Sequence, residues 1–178
     1  MRGVSVPKVE SVEDIERLDG LIAPLEQHAG VDKDAIRLIP WLETARGVQN
    51  AYDICRASTR VVAVAFGAED FARDMGIERT DEGPEAVYPR SAVCVAARAA
   101  GVLALDTPFV RFRDAEGLIR DCRAARRYGF RGKFAIHPSQ IDPINREFAP
   151  SEDEIVEARR VVEAYETARC VGRGATSL

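Results

Sequence analysis

Residues 38–70 read LIPWLETARGVQNAYDICRASTRVVAVAFGAED, and the fold is decided there. Two apolar runs, residues 36–42 and 61–66, lack the polar alternation of a half-exposed strand. Runs of that kind predict two strands buried on both faces, with a helical stretch between them. Each run leads into an acid: Glu43 directly after the first, Asp70 shortly past the second. A strand–helix–strand unit places both acids at one end of a parallel sheet, where such folds keep their chemistry. Two carboxylates at one mouth repel each other unless a cation or a shared proton holds them. The economical reading is a divalent-metal site.

The same alternation extends in both directions. Upstream, residues 4–6 predict a short strand. Ser11 with Asp14 resembles a helix N-cap signature, followed by apolar Val12, Ile15, Leu18 and Leu21 or Ile22 at helical spacing. Pro24 is expected to break or kink that helix, and Gly30 to close the segment. Downstream, the polar stretch 73–84 predicts a surface loop over the mouth. A helix over 87–100 stops at Gly101, a strand spans 102–105, and a helix capped by Asp114 runs through Tyr128 to Gly129. A fifth strand is expected over 133–136. Ser151 to Glu154 form a capping box before an amphipathic helix carrying Ile155, Ala158, Val162 and Tyr165, and the tail VGRGATSL reads as loop.

Five strands alternating with helices specify a parallel α/β sheet. An open doubly wound sheet lacks support, because no glycine-rich phosphate loop follows any strand. A closed (β/α)8 barrel needs eight strands and typically about 250 residues, whereas this chain has 178. Residues 1–178 read as one domain, without a repeat or a linker.

Apolar content of 46% and charged content of 30% are those of an ordinary soluble protein. A net charge of −4 gives no electrostatic case for nucleic acid or an anionic membrane. No apolar run reaches membrane-spanning length and the start has no signal-peptide shape, so cytoplasm is the default expectation. Cys55, Cys94, Cys122 and Cys170 are widely spaced with no C-x-x-C. Cys55 and Cys122 sit on apolar helical faces and read as reduced core residues; Cys170, near the tail, reads as the exposed one.

PKVES (7–11), ETARG (43–47) with Asn50, FGAED (66–70), ALDTPF (104–109) and GKFAIHPSQ (132–140) occur in order, each at a strand end. Together they resemble the citrate lyase β-subunit-like family of the aldolase/citrate lyase superfamily, which includes malyl-CoA and citramalyl-CoA lyases. The resemblance covers nearly the whole chain. It implies a (β/α)8 TIM barrel of which this chain is a partial one, its strands corresponding to strands four to eight. Residues 151–178 then correspond to a C-terminal helix and the start of the family's C-terminal segment. It further implies truncation at both ends. The arginine that grips the substrate carboxylate and the general base then fall outside this chain.

The resemblance also implies roles. Glu43 and Asp70 are the Mg²⁺ ligands, which agrees with the hard oxygen donors this ion takes. The reaction is carbon–carbon cleavage of a citryl-, malyl- or citramalyl-like thioester to a 2-oxo acid and an acyl thioester, carried by CoA or an acyl-carrier protein. The enzyme is expected to be a homo-oligomer, a trimer or hexamer. Read singly, Glu43 also fits a strand-end pair with Arg46, and Asp70 a cap for the turn beginning at Phe71. Gly67, Ala68, Glu69 and Asp70 form a strand-to-helix turn whose N–H groups suit a substrate carboxylate, or simply a turn that needs Gly67. Glu69 reads as adjacent to the ligand but facing solvent. Lys8 points to the same mouth, toward substrate or a CoA phosphate, or into solvent. His137 and Asp106 fit acid–base or structural roles, and His28 a partner for a helix C-terminus. Arg90, Arg126, Arg127 and Arg131 fit a phosphate patch or a solvated basic face. The competing readings are a non-catalytic remnant and a module that binds metal and oxo acid without turnover.

Overall fold

The computed structural model describes residues 3–80 and 83–170, the last by its backbone only. The tail 171–178 and the side chain of Cys170 lie outside the described residues, as do Asp81 and Glu82 within the polar stretch. The chain divides into two compact units, residues 1–147 and 148–178.

The first unit is built on five parallel strands in the order β1-β2-β3-β4-β5. They are β1 (Gly3–Val6), β2 (Arg37–Leu42), β3 (Ala63–Phe66), β4 (Leu103–Asp106) and β5 (Gly132–Lys133). The crossovers carry α1 (Val12–Ala29), then α2 (Ala45–Gln49) and α3 (Ala51–Arg56), then α4 (Ala68–Met75) and α5 (Val87–Ala100), then α6 (Ala115–Tyr128). Helix α7 (Ile141–Phe148) follows β5. Sequential order with every neighbour parallel is the topology of a (β/α) barrel wall rather than a doubly wound sheet.

Curvature confirms the barrel geometry. The Trp41 ring on β2 meets Phe134, just past β5, with centroids 4.4 Å apart. Three strand spacings in a flat sheet are about 14 Å, so this contact requires the sheet to curl, with the two rings on its concave side. Strand β3 is buried at all four positions, as its continuous apolar run predicts. Strand β2 instead alternates: Leu38, Pro40 and Leu42 are buried, while Ile39 and Trp41 are half-buried.

Most helix ends fall where the sequence places them. Asp14 accepts the Ser11 N–H at 3.1 Å, and Gly30, Gly101 and Gly129 close their helices in the left-handed conformation. Four expectations are corrected. Pro24 does not break α1, which runs continuously through it. The turn beyond it is tied down by buried Glu26, whose carboxylate is held by Arg60. The stretch between β2 and β3 is two short helices, interrupted at Asn50, whose side chain donates to the Glu10 carbonyl at 2.8 Å. The fifth strand is shorter than predicted, because it pairs only with Leu105 and Asp106, the last two residues of β4. The polar stretch also begins inside α4, which continues to Met75.

Beneath the strands, at the end opposite Glu43, Arg60 is fully buried. Both Glu26 carboxylate oxygens accept from its guanidinium at 2.7 Å, Asp34 lies 3.2 Å away, and Asp19 binds its Nε. The Arg60 hydrogen bonds hold the Glu26 carboxyl at about 2, and Glu26 also accepts the N–H groups of Asp34 and Ile36. This junction fixes the second half of α1 against the entry to β2. Cys55, Cys94 and Cys122 are buried, and burial pushes their thiols up to about 12, 12 and 11. Cys55 and Cys122 are core residues, as expected, and Cys94 joins them.

The second unit holds α8 (Glu152–Cys170). Its capping box forms: Glu154 accepts the Ser151 N–H at 2.8 Å and returns its own N–H to Ser151 Oγ at 3.1 Å. Ile155, Val162 and Tyr165 are exposed. Among the described residues no helix is long and apolar enough to cross a membrane.

Candidate metal and substrate site

The C-terminal ends of β1, β2 and β3 meet around Glu43, the first residue after β2. Its carboxylate is buried, and Oε1 accepts the backbone N–H of Lys8 at 2.9 Å. To present that N–H, Lys8 adopts φ +53°, a left-handed conformation uncommon outside glycine. Strain of this kind collects at functional sites. Burial pushes the Glu43 carboxyl above its ordinary value, and the negative charge of Asp70 adds to the rise. Among the described residues no ion pair joins Glu43 to Arg46; its partner is the backbone of Lys8.

Asp70 is the third residue of α4, not the cap of a following turn. The cap is Gly67, one residue past β3. Asp70 Oδ1 lies 2.8 Å from the Arg73 guanidinium and 4.0 Å from Lys8 Nζ. Lys8 therefore joins the two acids, its main chain on Glu43 and its side chain toward Asp70. The helix dipole at the start of α4 adds a positive field where Asp70 sits.

Gly67 is held to glycine by sterics. A Cβ there would lie 2.6 Å from Glu43 Oε2 and 2.8 Å from Glu43 Cβ. Gly67→Ala is expected to displace Glu43 and cost about 1–3 kcal/mol as an overpacking substitution. Gly20→Ala in α1, where a Cβ meets nothing within 4 Å, is the control and should be neutral or stabilising by up to about 1 kcal/mol. Urea denaturation of the two variants checks the contrast.

Of the turn's N–H groups, that of Gly67 donates to the Leu42 carbonyl at 3.1 Å, and that of Ala68 to Thr107 Oγ1 at 3.1 Å. The first bond closing α4 runs from the Phe71 N–H to the Gly67 carbonyl. The N–H groups of Glu69 and Asp70 precede it and are the ones left for an anion. The Glu69 side chain is exposed and faces Arg79 at 3.3 Å.

Several of the remaining candidates have structural partners. His137 caps the turn Pro138–Gln140, its Nδ1 accepting the Ser139 N–H, and stacks on Phe112 at 4.7 Å. His28 lies in the last turn of α1. Arg90 is no solvated face: it is buried and bound to Asp106 and Asp121. Lys133, buried, reaches the same Asp106 at 2.6 Å. Sequence reading missed two contributors: the left-handed Lys8 main chain and Thr107. Neither has a spacing signature, since both act across strands.

Among the described residues no three His, Cys, Asp or Glu side chains group as a metal-ligand cluster. The comparisons with known proteins agree with this architecture. The chain is 38% identical to citrate lyase subunit beta of Leuconostoc mesenteroides subsp. cremoris over 98% of its own length and 58% of that protein's. It is 33% identical to the mitochondrial citramalyl-CoA lyase of Homo sapiens, covering 96% of this chain and 52% of that one. The structure of a citrate lyase beta subunit from M. tuberculosis, complexed with oxaloacetate and magnesium, superposes with a TM-score of 0.69 at 33% identity, over 84% of this chain and 62% of that one. The chain thus spans less than two thirds of these relatives' length. Residues 1–138 match the family HpcH/HpaI aldolase/citrate lyase, and with the parallel barrel wall and its ordered strand-end motifs they establish that the chain belongs to that family.

Proposed function

We propose that this chain serves a magnesium-dependent carbon–carbon lyase, cleaving a 3-hydroxyacyl thioester into a 2-oxo acid and an acyl thioester. The observation that carries the reading is that Lys8 touches both Glu43, just past β2, and Asp70, in the first turn of the helix that follows β3. The donor set fits the ion. Mg²⁺ takes one or two protein carboxylates and leaves its other octahedral positions to water and substrate. A carboxyl raised by burial and by a neighbouring acid is one whose ionised form a divalent cation favours. Magnesium, when bound, supplies Lewis acidity toward a substrate oxygen.

The chain's own residues then have distinct tasks. Glu43 and Asp70 would hold the cation, whose charge would offset the burial and mutual repulsion of the two carboxylates. The N–H groups of Glu69 and Asp70 receive the 2-oxo acid's carboxylate, with Gly67 and Ala68 forming the wall beside it. Lys8, whose side chain is largely exposed, meets the substrate or the phosphate of its carrier. The relatives named as citrate lyase and citramalyl-CoA lyase, and the complex with oxaloacetate and magnesium, support this chemical class. The carrier is CoA or an acyl-carrier protein.

Magnesium titration by calorimetry and release of 2-oxo acid from citryl, malyl and citramalyl thioesters test the reading. Magnesium-dependent release is the expected result. Magnesium binding without release identifies a binding module, and the absence of both binding and release overturns the reading. At 100 times its Kd, magnesium is expected to stabilise the chain by about 2.7 kcal/mol. That raises Tm by about 5–10 °C in a scanning calorimeter.

A further inference from the structure

Helix α4 presents Asp70 yet begins on a residue that cannot cap it. An N-cap is ordinarily Ser, Thr, Asp or Asn, whose side chain satisfies one of the orphan N–H groups of the first turn. Here the cap is Gly67, and any side chain there would strike Glu43. The cap is supplied from another strand. Thr107, one residue past β4, accepts the Ala68 N–H on its Oγ1 at 3.1 Å, with both residues buried. We infer that Thr107 is the positioning residue of the site: it caps α4 in place of Gly67 and so fixes where Asp70 stands relative to Glu43.

The strand end carrying Thr107 is itself braced. Asp106 is fully buried and gripped from α5 by Arg90, Nε at 3.0 Å, and from β5 by Lys133, Nζ at 2.6 Å. Asp121 on α6 engages both of those cations, and the Asp106 carbonyl accepts the Phe134 N–H at 3.1 Å. Three elements thus immobilise the residue before Thr107. Helix α4 has only eight residues, too few to be stable by itself, so its start depends on this outside contact. The inference rests on the reading of Asp70 as a magnesium ligand only for its functional consequence.

Thr107→Val keeps the shape and removes the acceptor, leaving the Ala68 N–H buried without a partner; Thr107→Ser restores it. Two readouts on the full chain keep the parts separable: magnesium affinity by calorimetry, and amide hydrogen exchange resolved at residues 68–71. In Thr107→Val, exchange at Ala68 is expected to rise about tenfold with β3 unchanged. The magnesium Kd should rise about tenfold, and both should return to within about twofold in Thr107→Ser. A Thr107→Val chain with wild-type magnesium affinity, when Asp70→Asn abolishes binding, overturns the inference. If Asp70→Asn binds magnesium normally, the metal reading fails instead, and exchange at Ala68 alone decides: an unchanged rate overturns the inference and a faster one supports it. If Thr107→Val does not fold, Thr107→Ala against Thr107→Ser gives the same comparison.

Discussion

Glu43→Gln and Asp70→Asn are each expected to weaken magnesium binding by at least about 100-fold, or about 2.7 kcal/mol, while leaving the barrel wall folded. Both residues stand at the rim, outside the strands that carry the core. The two variants should differ in the absence of metal. Burial, and after it the charge of Asp70, raise the Glu43 carboxyl above its ordinary value, so ionising it opposes folding. For a carboxyl raised in the folded state, the stabilising contribution is present below the unfolded value and lost as pH rises through the folded one. Glu43→Gln removes that loss and keeps an oxygen for the Lys8 N–H. Its urea midpoint without magnesium should exceed that of the wild type at pH 7. Acid acts on binding in the opposite sense. As pH falls into the raised range of Glu43, protons compete with the cation and magnesium affinity declines sooner than an ordinary carboxylate would allow. Calorimetric titration across pH 5–8 measures this. Unchanged magnesium affinity in Asp70→Asn would falsify the ligand assignment.

Asp106→Ala is expected to cost about 3–5 kcal/mol, since it removes the shared partner of two buried cations. Arg90 and Lys133 both bond to Asp106, which has no exposed surface. Without it, a single carboxylate, Asp121, remains for two positive charges. Asp121→Asn should cost less, because Asp106 still serves both cations and Asp121 is partly open to water. Urea denaturation of the two variants gives the comparison. Losses of equal size would show that the charges act as one undivided network. Asp106→Ala should also loosen the strand end that carries Thr107, so its magnesium affinity should fall along with its stability.

The sequence carried the architecture because the governing signals are local. The unbroken run at residues 61–66 became β3, buried throughout. The spacing of Asp114, Tyr128 and Gly129 marked the bounds of α6, and the Ser151–Glu154 pair formed the capping box of α8. Local signals misled where a distant contact outweighed them. Pro24 argues for a break, but Arg60, far along the chain, draws Glu26 into a buried pair and the helix continues. Lys133 was legible as strand and Asp106 as a strand-end acid, whereas their shared burial with Arg90 was not.

The acids of the candidate site were visible because a parallel strand–helix–strand unit sends successive strand ends to one rim, and that geometry follows from order along the chain. What holds them in place was decided only by the fold. The Lys8 main chain turned onto Glu43, the glycine that leaves room for that carboxylate, and the threonine that caps α4 from β4 are contacts between segments distant in sequence. A pattern of residues records periodicity and local hydrogen bonding. It does not record which strand end a hydroxyl will face once the sheet has curled.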